Sequence, residues 1–269
     1  MRLAIFSDIH GNPIALDAVL ADIRARGGAD EYLILGDLAV AGHDPAGALQ
    51  RLSEIPNARF VRGNTETWIA AGEPAPTFEV LRDRPEELRG YLTLGTTLAW
   101  THGHLAATGW LPWIAQLPVD ERLTLPNGLR LLASHAAPGK DGTEPGPPRP
   151  ALHPEQPEGE VRTLIAGCAA DIVCVGHTHA VLDRTINDEA GRDVRILNCG
   201  SVSNPLAPDL RASYILLEAD ASPGYRVEFH RVAYNIPAVL EALRASGLPT
   251  AANISENFHG KRIPPWLRG

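Results

Sequence analysis

The chain has 269 residues, with 24 Lys+Arg against 32 Asp+Glu and a formal net charge of −8. Hydrophobic residues make up 44% and charged residues 21%, ordinary values for a globular chain with a core, which exclude a disordered one. The acidic balance argues against wrapping long nucleic acid, and no apolar run approaches the ~18 residues of a membrane span.

Residues 2–7 form an apolar run ending in Ser7-Asp8 and read as a strand. Asn12 caps a helix with Pro13 in its first turn. Leu16, Val19, Leu20 and Ile23 then line one helical face, and Gly27-Gly28 stops it. Residues 32–35 are a second strand, and Asp44-Pro45 opens a helix to about Leu52. Residues 59–61 are a third, shorter strand. This β-α-β-α-β order predicts parallel strands with right-handed crossovers.

Residues 66–118 read as mostly helical, broken at Pro74, Pro76, Pro85, Pro112 and Pro118. Residues 122–133 read as a hairpin, with Asn127-Gly128 suited to a type I′ turn. The next stretch, 138–159, holds seven prolines and four glycines and cannot be a regular element. It is either a lid over a substrate, with Lys140, Arg149 and His153 as its functional side chains, or a plain solvated loop. A helix follows at 159–168, then a strand at 172–175, a hairpin at 181–197 and strands at 213–219 and 225–232. Ile236, Val239, Leu240 and Leu243 mark a last helix, ended by Gly247. No repeat or linker divides the chain, so a single domain is expected over 1–269.

Cys168, Cys174 and Cys199 are sparse and include no C-x-x-C pair. That suits a reducing compartment, and residues 1–6 lack the basic-then-apolar pattern of a secretory leader. The expectation is a cytoplasmic protein.

Chemistry collects where apolar strands end. The first delivers Asp8-Ile9-His10, the second Gly36-Asp37, the third Gly63-Asn64. The run at 129–133 delivers Ser134-His135, and that at 172–175 delivers Gly176-His177-Thr178-His179. In open α/β sheets, ligands bind at the carboxyl ends of strands. Carboxylates, an amide and imidazoles without a thiolate suit Mn²⁺, Fe²⁺, Ni²⁺ or Zn²⁺. Seven ligands exceed one tetrahedral ion but suit two ions sharing a carboxylate. Taken singly, Asp37 or Asn64 would serve equally as a turn residue.

These motifs, in this order, resemble the signature of the calcineurin-like metallophosphoesterases. The resemblance spans roughly residues 1–204, and Asn198-Cys199-Gly200-Ser201 is similar to a further short element. The tail through Leu243 looks like that of the small bacterial phosphodiesterase branch. The resemblance implies an α/β fold, a four-layer sandwich of two mixed sheets flanked by helices. It also implies a first metal site of Asp8, His10, Asp37 and His179, and a second of Asp37, Asn64, His135 and His177. The implied cofactors are two divalent ions, Mn²⁺ first, with Fe, Ni or Zn as alternatives. The implied reaction is phosphodiester hydrolysis through a metal-bridging hydroxide, on a small phosphoester or nucleotide.

One position departs from the family. Many members have His directly after Gly-Asn, and this chain has Thr65-Glu66. Thr65 is too weak an acid to protonate a leaving oxygen near neutral pH. His43, six residues after Asp37, is the candidate substitute, against the plainer reading of a surface-loop histidine. With Asp37 and Asn64 it completes the candidate catalytic set. Arg62 is a candidate phosphate contact or a structural residue, and Glu66 reads as a first-turn residue favouring the helix start. His102 and His104 are either a metal pair or residues flanking a helix at 109–117, Cys199 is either a reactive thiol near the metals or a small buried filler, and Trp110 and Trp113 read as packing. Alternative functions are a nucleotide pyrophosphohydrolase or protein phosphatase, and, from another class, a metal-binding scaffold without catalysis. No membrane partner is expected, and the sequence leaves the oligomeric state open.

Overall fold

The computed structural model describes residues 1–72, 88–144 and 150–262. Side chains alternate across a strand, and in β1 (Arg2–Phe6) both faces are apolar. Leu3 and Ile5 point one way, Ala4 and Phe6 the other, and all four are fully buried. A strand buried on both faces needs a packed layer on each side.

On the helix side, Ala4 and Phe6 pack with Leu16, Val19 and Ile23 of α1 (Pro13–Ala25) and Leu49 and Leu52 of α2 (Pro45–Ser53). These helices are the crossovers that lay β2 (Glu31–Ile34) and β3 (Ala58–Phe60) parallel to β1. Asn12 and Asp44 cap them by accepting from Ala15 and Gly47 N–H, with Pro13 and Pro45 in the first turns. Two later strands, β9 (Ala212–Glu218) and β10 (Arg226–Val232), extend this sheet antiparallel, in the order β10-β9-β1-β2-β3.

On the other side lies a second five-stranded sheet. It contains β4 (Asp120–Thr124), β5 (Arg130–Ser134), β6 (Ile172–Val175), β7 (Val181–Asn187) and β8 (Asp193–Cys199), in the order β4-β5-β6-β8-β7. β5, β6 and β8 run parallel. Leu3, Ile5, Leu33 and Leu35 meet Leu131, Ala133, Cys174, Leu197 and Cys199 in one buried cluster between the sheets. The outer face of this sheet packs Val161 and Ile165 of α6 (Glu158–Ile165). The result is two mixed sheets face to face with helices outside, as expected.

Helices α3 (Asn64–Ala71), α4 (Leu88–Thr108) and α5 (Leu111–Ile114) follow β3. Pro112 does not break a helix, because it sits in the first turn of α5, where a proline N–H is not needed. Pro74, Pro76 and Pro85 lie outside the described residues, as does Arg149. The hairpin at 120–134 forms, but not with a type I′ turn. Leu125 N–H bonds Leu129 C=O, and Gly128 at φ +84° is the left-handed residue of a three-residue loop. Pro126 explains the difference, since its fixed negative φ suits a type I turn and it has no N–H for the ladder. α7 (Ile236–Ala245) matches expectation, while the short α8 (Ala251–Ser255) and the 3₁₀ turn Glu256–His259 had no visible pattern. No helix among the described residues is long and apolar enough to cross a membrane.

Gly36, at φ +83°, is where β2 turns out of the sheet against the β3 loop. A Cβ there would lie 2.5 Å from the Gly63 nitrogen and 2.8 Å from its Cα. Backbone meets backbone, so nothing can rotate away. Gly36→Ala is expected to destabilise the protein by roughly 2–4 kcal/mol, read by denaturant unfolding.

Candidate metal centre

Five strand ends converge on one spot. Asp8 and His10 follow β1, Asp37 follows β2, and Asn64 opens α3 just beyond β3. His135 follows β5, and His177 and His179 follow β6. The loops are laced together by their backbones. Asp8, His10 and Gly11 donate N–H to the carbonyls of Gly36, Asp37 and Leu38 at 2.9–3.0 Å. Across the seam between sheets, His177 N–H donates to Asp8 Oδ2 at 3.1 Å.

The seven side chains fall into two facing groups. In the first, His179 Nε2 lies 3.1 Å from Asp8 Oδ1 and 3.3 Å from His10 Nε2. His10 Nε2 is 3.8 Å from Asp37 Oδ2. In the second, His135 Nε2 lies 3.2 Å from Asn64 Oδ1 and 3.5 Å from Asp37 Oδ1. His177 Nδ1 is 2.9 Å from the same Asn64 oxygen. Asp37 thus turns one carboxylate oxygen to each group. Asp8, His10 and His179 form one set of ligand atoms close enough for an ion, and Asp8, Asp37 and His135 another.

Two of the imidazoles, those of His10 and His135, are set in the tautomer that leaves Nε2 free for a cation. Nδ1 of His10 faces Val40 C=O at 2.8 Å, that of His135 faces Leu35 C=O at 2.6 Å, and that of His179 faces Asn204 C=O at 2.8 Å. A carbonyl can only accept, so in His10 and His135 Nδ1 carries the proton and Nε2 keeps its lone pair toward the centre, whereas His179 Nδ1 also faces the Arg262 Nη1 donor at 2.8 Å. Asp8 Oδ1, fully buried, has no hydrogen-bond donor. A buried carboxylate oxygen aimed at neighbouring lone pairs fits a cation.

The electrostatics agree. Burial holds the His10 and His177 imidazoles down at about 4, so both are neutral near pH 7. Burial also pushes on His135, but the Asp37 and Asp8 carboxylates outweigh it and raise that ring above its ordinary value. Burial would raise Asp8 and Asp37, yet the imidazoles around them prevail and hold both below the usual carboxylate range.

Glu66 proves to be more than a helix-start residue. It is fully buried. Its Oε2 accepts from Asp37 and Gly63 N–H at 2.8 and 2.9 Å, and its Oε1 from Leu38 N–H at 2.9 Å. One carboxylate thereby ties the β2 loop to the start of α3. Burial and the Asp37 charge push its carboxyl up to about 7, against the N–H groups that favour the anion. The visible signal was a glutamate two residues after Asn64, at the N3 position of a helix whose N-cap is Gly63, where a carboxylate can accept from the cap's N–H. Thr65, beside it, donates its hydroxyl to Asp37 Oδ1 at 2.8 Å. Asn198 Nδ2 donates to Gly176 C=O at 2.6 Å, and Ser201 Oγ to Asp8 C=O at 3.1 Å.

The remaining candidates stand apart. His43 makes no hydrogen bond or ion pair with the seven, and it lies among Asn12, Ser203, Val239, Leu243 and Phe258. Burial lowers its pKa, which opposes an acid role near neutral pH. His102 and His104 lie inside α4 rather than beside a helix at 109–117: His102 bonds Ile69 C=O and His104 stacks on Trp100. Cys199 is buried, with its thiol pKa pushed well up by burial. Trp110 and Trp113 pack edge to face against the helix-side core. Arg62 Nε lies 3.4 Å from Asp141. The 138–159 stretch touches the centre at Gly142, where a Cβ would come within 2.9 Å of the His177 ring. Asp141 beside it is buried and accepts from Thr67 Oγ1.

The family model of the calcineurin-like phosphoesterase superfamily domain matches residues 1–222. An uncharacterized protein of Methanocaldococcus jannaschii is 26% identical over 262 residues, 92% of this chain and 93% of that protein. A metallophosphoesterase from Sphaerobacter thermophilus superposes with a TM-score of 0.67 at 25% identity, covering 97% of this chain and 98% of that one. A hypothetical protein from Pyrococcus horikoshii OT3 superposes with a TM-score of 0.75 at 20% identity, over 97% and 99%, a likeness of fold alone.

Glu66→Gln keeps the shape but turns an amide N–H₂ toward backbone donors. Since Glu66 is fully buried, that leaves at least one N–H unpaired and is expected to cost about 1–3 kcal/mol, read by urea unfolding of the metal-free protein.

Proposed function

The chain belongs to the calcineurin-like phosphoesterase superfamily, and on that premise we propose that it hydrolyses phosphodiesters with two divalent cations, Mn²⁺ first. A phosphoesterase carrying metal-binding residues is what the family itself implies; the two-ion arrangement and the diester preference are this proposal's. The observation that carries it is Asp37, whose Oδ2 faces His10 and whose Oδ1 faces His135. A carboxylate with one oxygen toward each ligand group is what a shared ligand requires. Asp8, His10, Asp37 and His179 would hold one ion, and Asp37, Asn64, His135 and His177 the other. When bound, such ions supply Lewis acidity toward phosphoryl oxygens and lower the pKa of water toward ~7.

The protein's own part is orientation and charge balance. The carbonyls of Val40 and Leu35 hold two imidazoles by their far nitrogens, and that of Asn204 faces a third. Asn64 contributes a neutral oxygen, which limits the negative charge an anionic ester must approach. Thr65 spends its hydroxyl proton on Asp37 and cannot offer it to a leaving oxygen. A site without an imidazole at that position favours substrates whose leaving group needs little protonation, and this supports a diester reading over a monoester one. A cytoplasmic location remains part of the proposal, supported by three unpaired, buried cysteines.

Activity of metal-reconstituted protein across diester, monoester and pyrophosphate substrates tests the reading. Asp37→Asn is expected to lower it by at least about 100-fold, beyond the range seen when residues that merely hold a ligand are lost. Full activity in that variant would sink the shared-carboxylate arrangement. His43→Ala is expected to leave kcat on a poor leaving group unchanged; a loss would return His43 to the acid role. Protons and cations compete for the same nitrogens. Because the carboxylates hold a proton on His135 more tightly than usual, Mn²⁺ affinity should fall as pH drops from about 7.5 to about 5.5, measured by calorimetric titration.

A further inference from the structure

The family model ends at residue 222, yet the chain's last described segment reaches the back of the metal centre. Phe258 anchors it, buried against Val239, Leu243 and Leu248. On either side of this anchor, two side chains turn to the same residue. Asn257 Nδ2 donates to Asn204 Oδ1 at 3.3 Å, and Arg262 Nη1 donates to Asn204 C=O at 2.8 Å. A third bond, from Ala207 N–H to Arg262 C=O at 3.1 Å, closes the loop after Asn204 onto the tail. Asn204 sits at φ +56°, a conformation that a non-glycine residue holds only when its surroundings impose it.

Asn204 matters because its carbonyl faces His179 Nδ1. Arg262 Nη1 and His179 Nδ1 stand 2.8 Å apart and both face that one oxygen, whose two lone pairs can take one bond from each when Nδ1 carries the proton. In this tautomer Nε2 keeps its lone pair, 3.1 Å from Asp8 Oδ1. In the other tautomer Arg262 would donate to Nδ1, and Nε2–H would leave nothing for a cation. A cation on Nε2 therefore calls for the tautomer in which Nδ1–H donates to the Asn204 carbonyl, and Arg262 is bonded to that same carbonyl.

We infer that the C-terminal segment is a working part of the metal centre, with Arg262 and Asn257 as positioning residues that fix Asn204 and, through it, the ligating form of His179. The inference rests on the reading of Asp8, His10, Asp37 and His179 as one ion's ligands. It extends that reading to residues outside the matched family region.

Mn²⁺ titrated calorimetrically into metal-free, full-length Arg262→Ala tests it. One of the two ions should bind about 10-fold more weakly, the size of effect seen when a residue holding a histidine ligand is lost, with the other ion within about twofold of wild type. Asn257→Ala should weaken the same ion, by less. Unchanged binding, equal weakening of both ions, or tighter binding in Arg262→Ala would each overturn the inference; the second would indicate a general loss of structure. A wild-type protein that binds no Mn²⁺ would instead refute the metal-centre reading itself.

Discussion

Two carboxylates and three imidazoles packed within a few ångströms, away from water, with the half-buried His177 beside them, form the constraint on which the rest of this structure depends. Asp8 and His135 are fully closed off, and His10, Asp37 and His179 nearly so. Such a cluster cannot rely on solvent to screen or satisfy it. Its members must be held by the protein and balanced by one another. Asp8, His10, Asp37, His177 and His179 all occupy left-handed backbone conformations. For non-glycine residues each costs on the order of 1–2 kcal/mol. The lattice of backbone bonds from the 8–11 loop to the 36–38 loop holds Asp8, His10 and Asp37 there.

Glu66 is the second element of that support. A single carboxylate gathers the N–H groups of Asp37, Leu38 and Gly63, so Asp37 and the neighbour of Asn64 are tied to one side chain. Gly63 has no room for a side chain, since a Cβ would stand 2.3 Å from Asp37 Oδ1. Close approach at this point brings Asn64 within reach of both His135 and His177.

The seam between the sheets supplies the third. The first sheet carries Asp8, His10, Asp37 and Asn64, and the second carries His135, His177 and His179. The inter-sheet core of Leu3, Ile5, Leu33, Leu131, Cys174 and Leu197 lies directly behind them. Hydrophobic packing fixes the two sheets face to face, and bonds such as His177 N–H to Asp8 then set the ligand loops against each other. The C-terminal turn adds a brace from outside both sheets.

Most of the architecture was legible in the residue order. Apolar runs buried on both faces, Asn-Pro and Asp-Pro helix starts and the βαβαβ succession are local patterns with local causes. That these seven side chains share one edge was legible too, because each lies within four residues of a strand end and strand ends share an edge. Local patterns failed where a neighbour's chemistry intervened, as when Pro126 displaced the expected type I′ turn at Asn127-Gly128. What only the tertiary structure decided is which groups hold which. The two oxygens of Asp37 face opposite groups, Glu66 ties two loops, Asn204 and Arg262 stand behind His179, and His43 stands apart from the centre. Those relations join residues 25 to 98 positions apart. They depend on how two sheets dock, and no spacing along a single strand or helix records that docking.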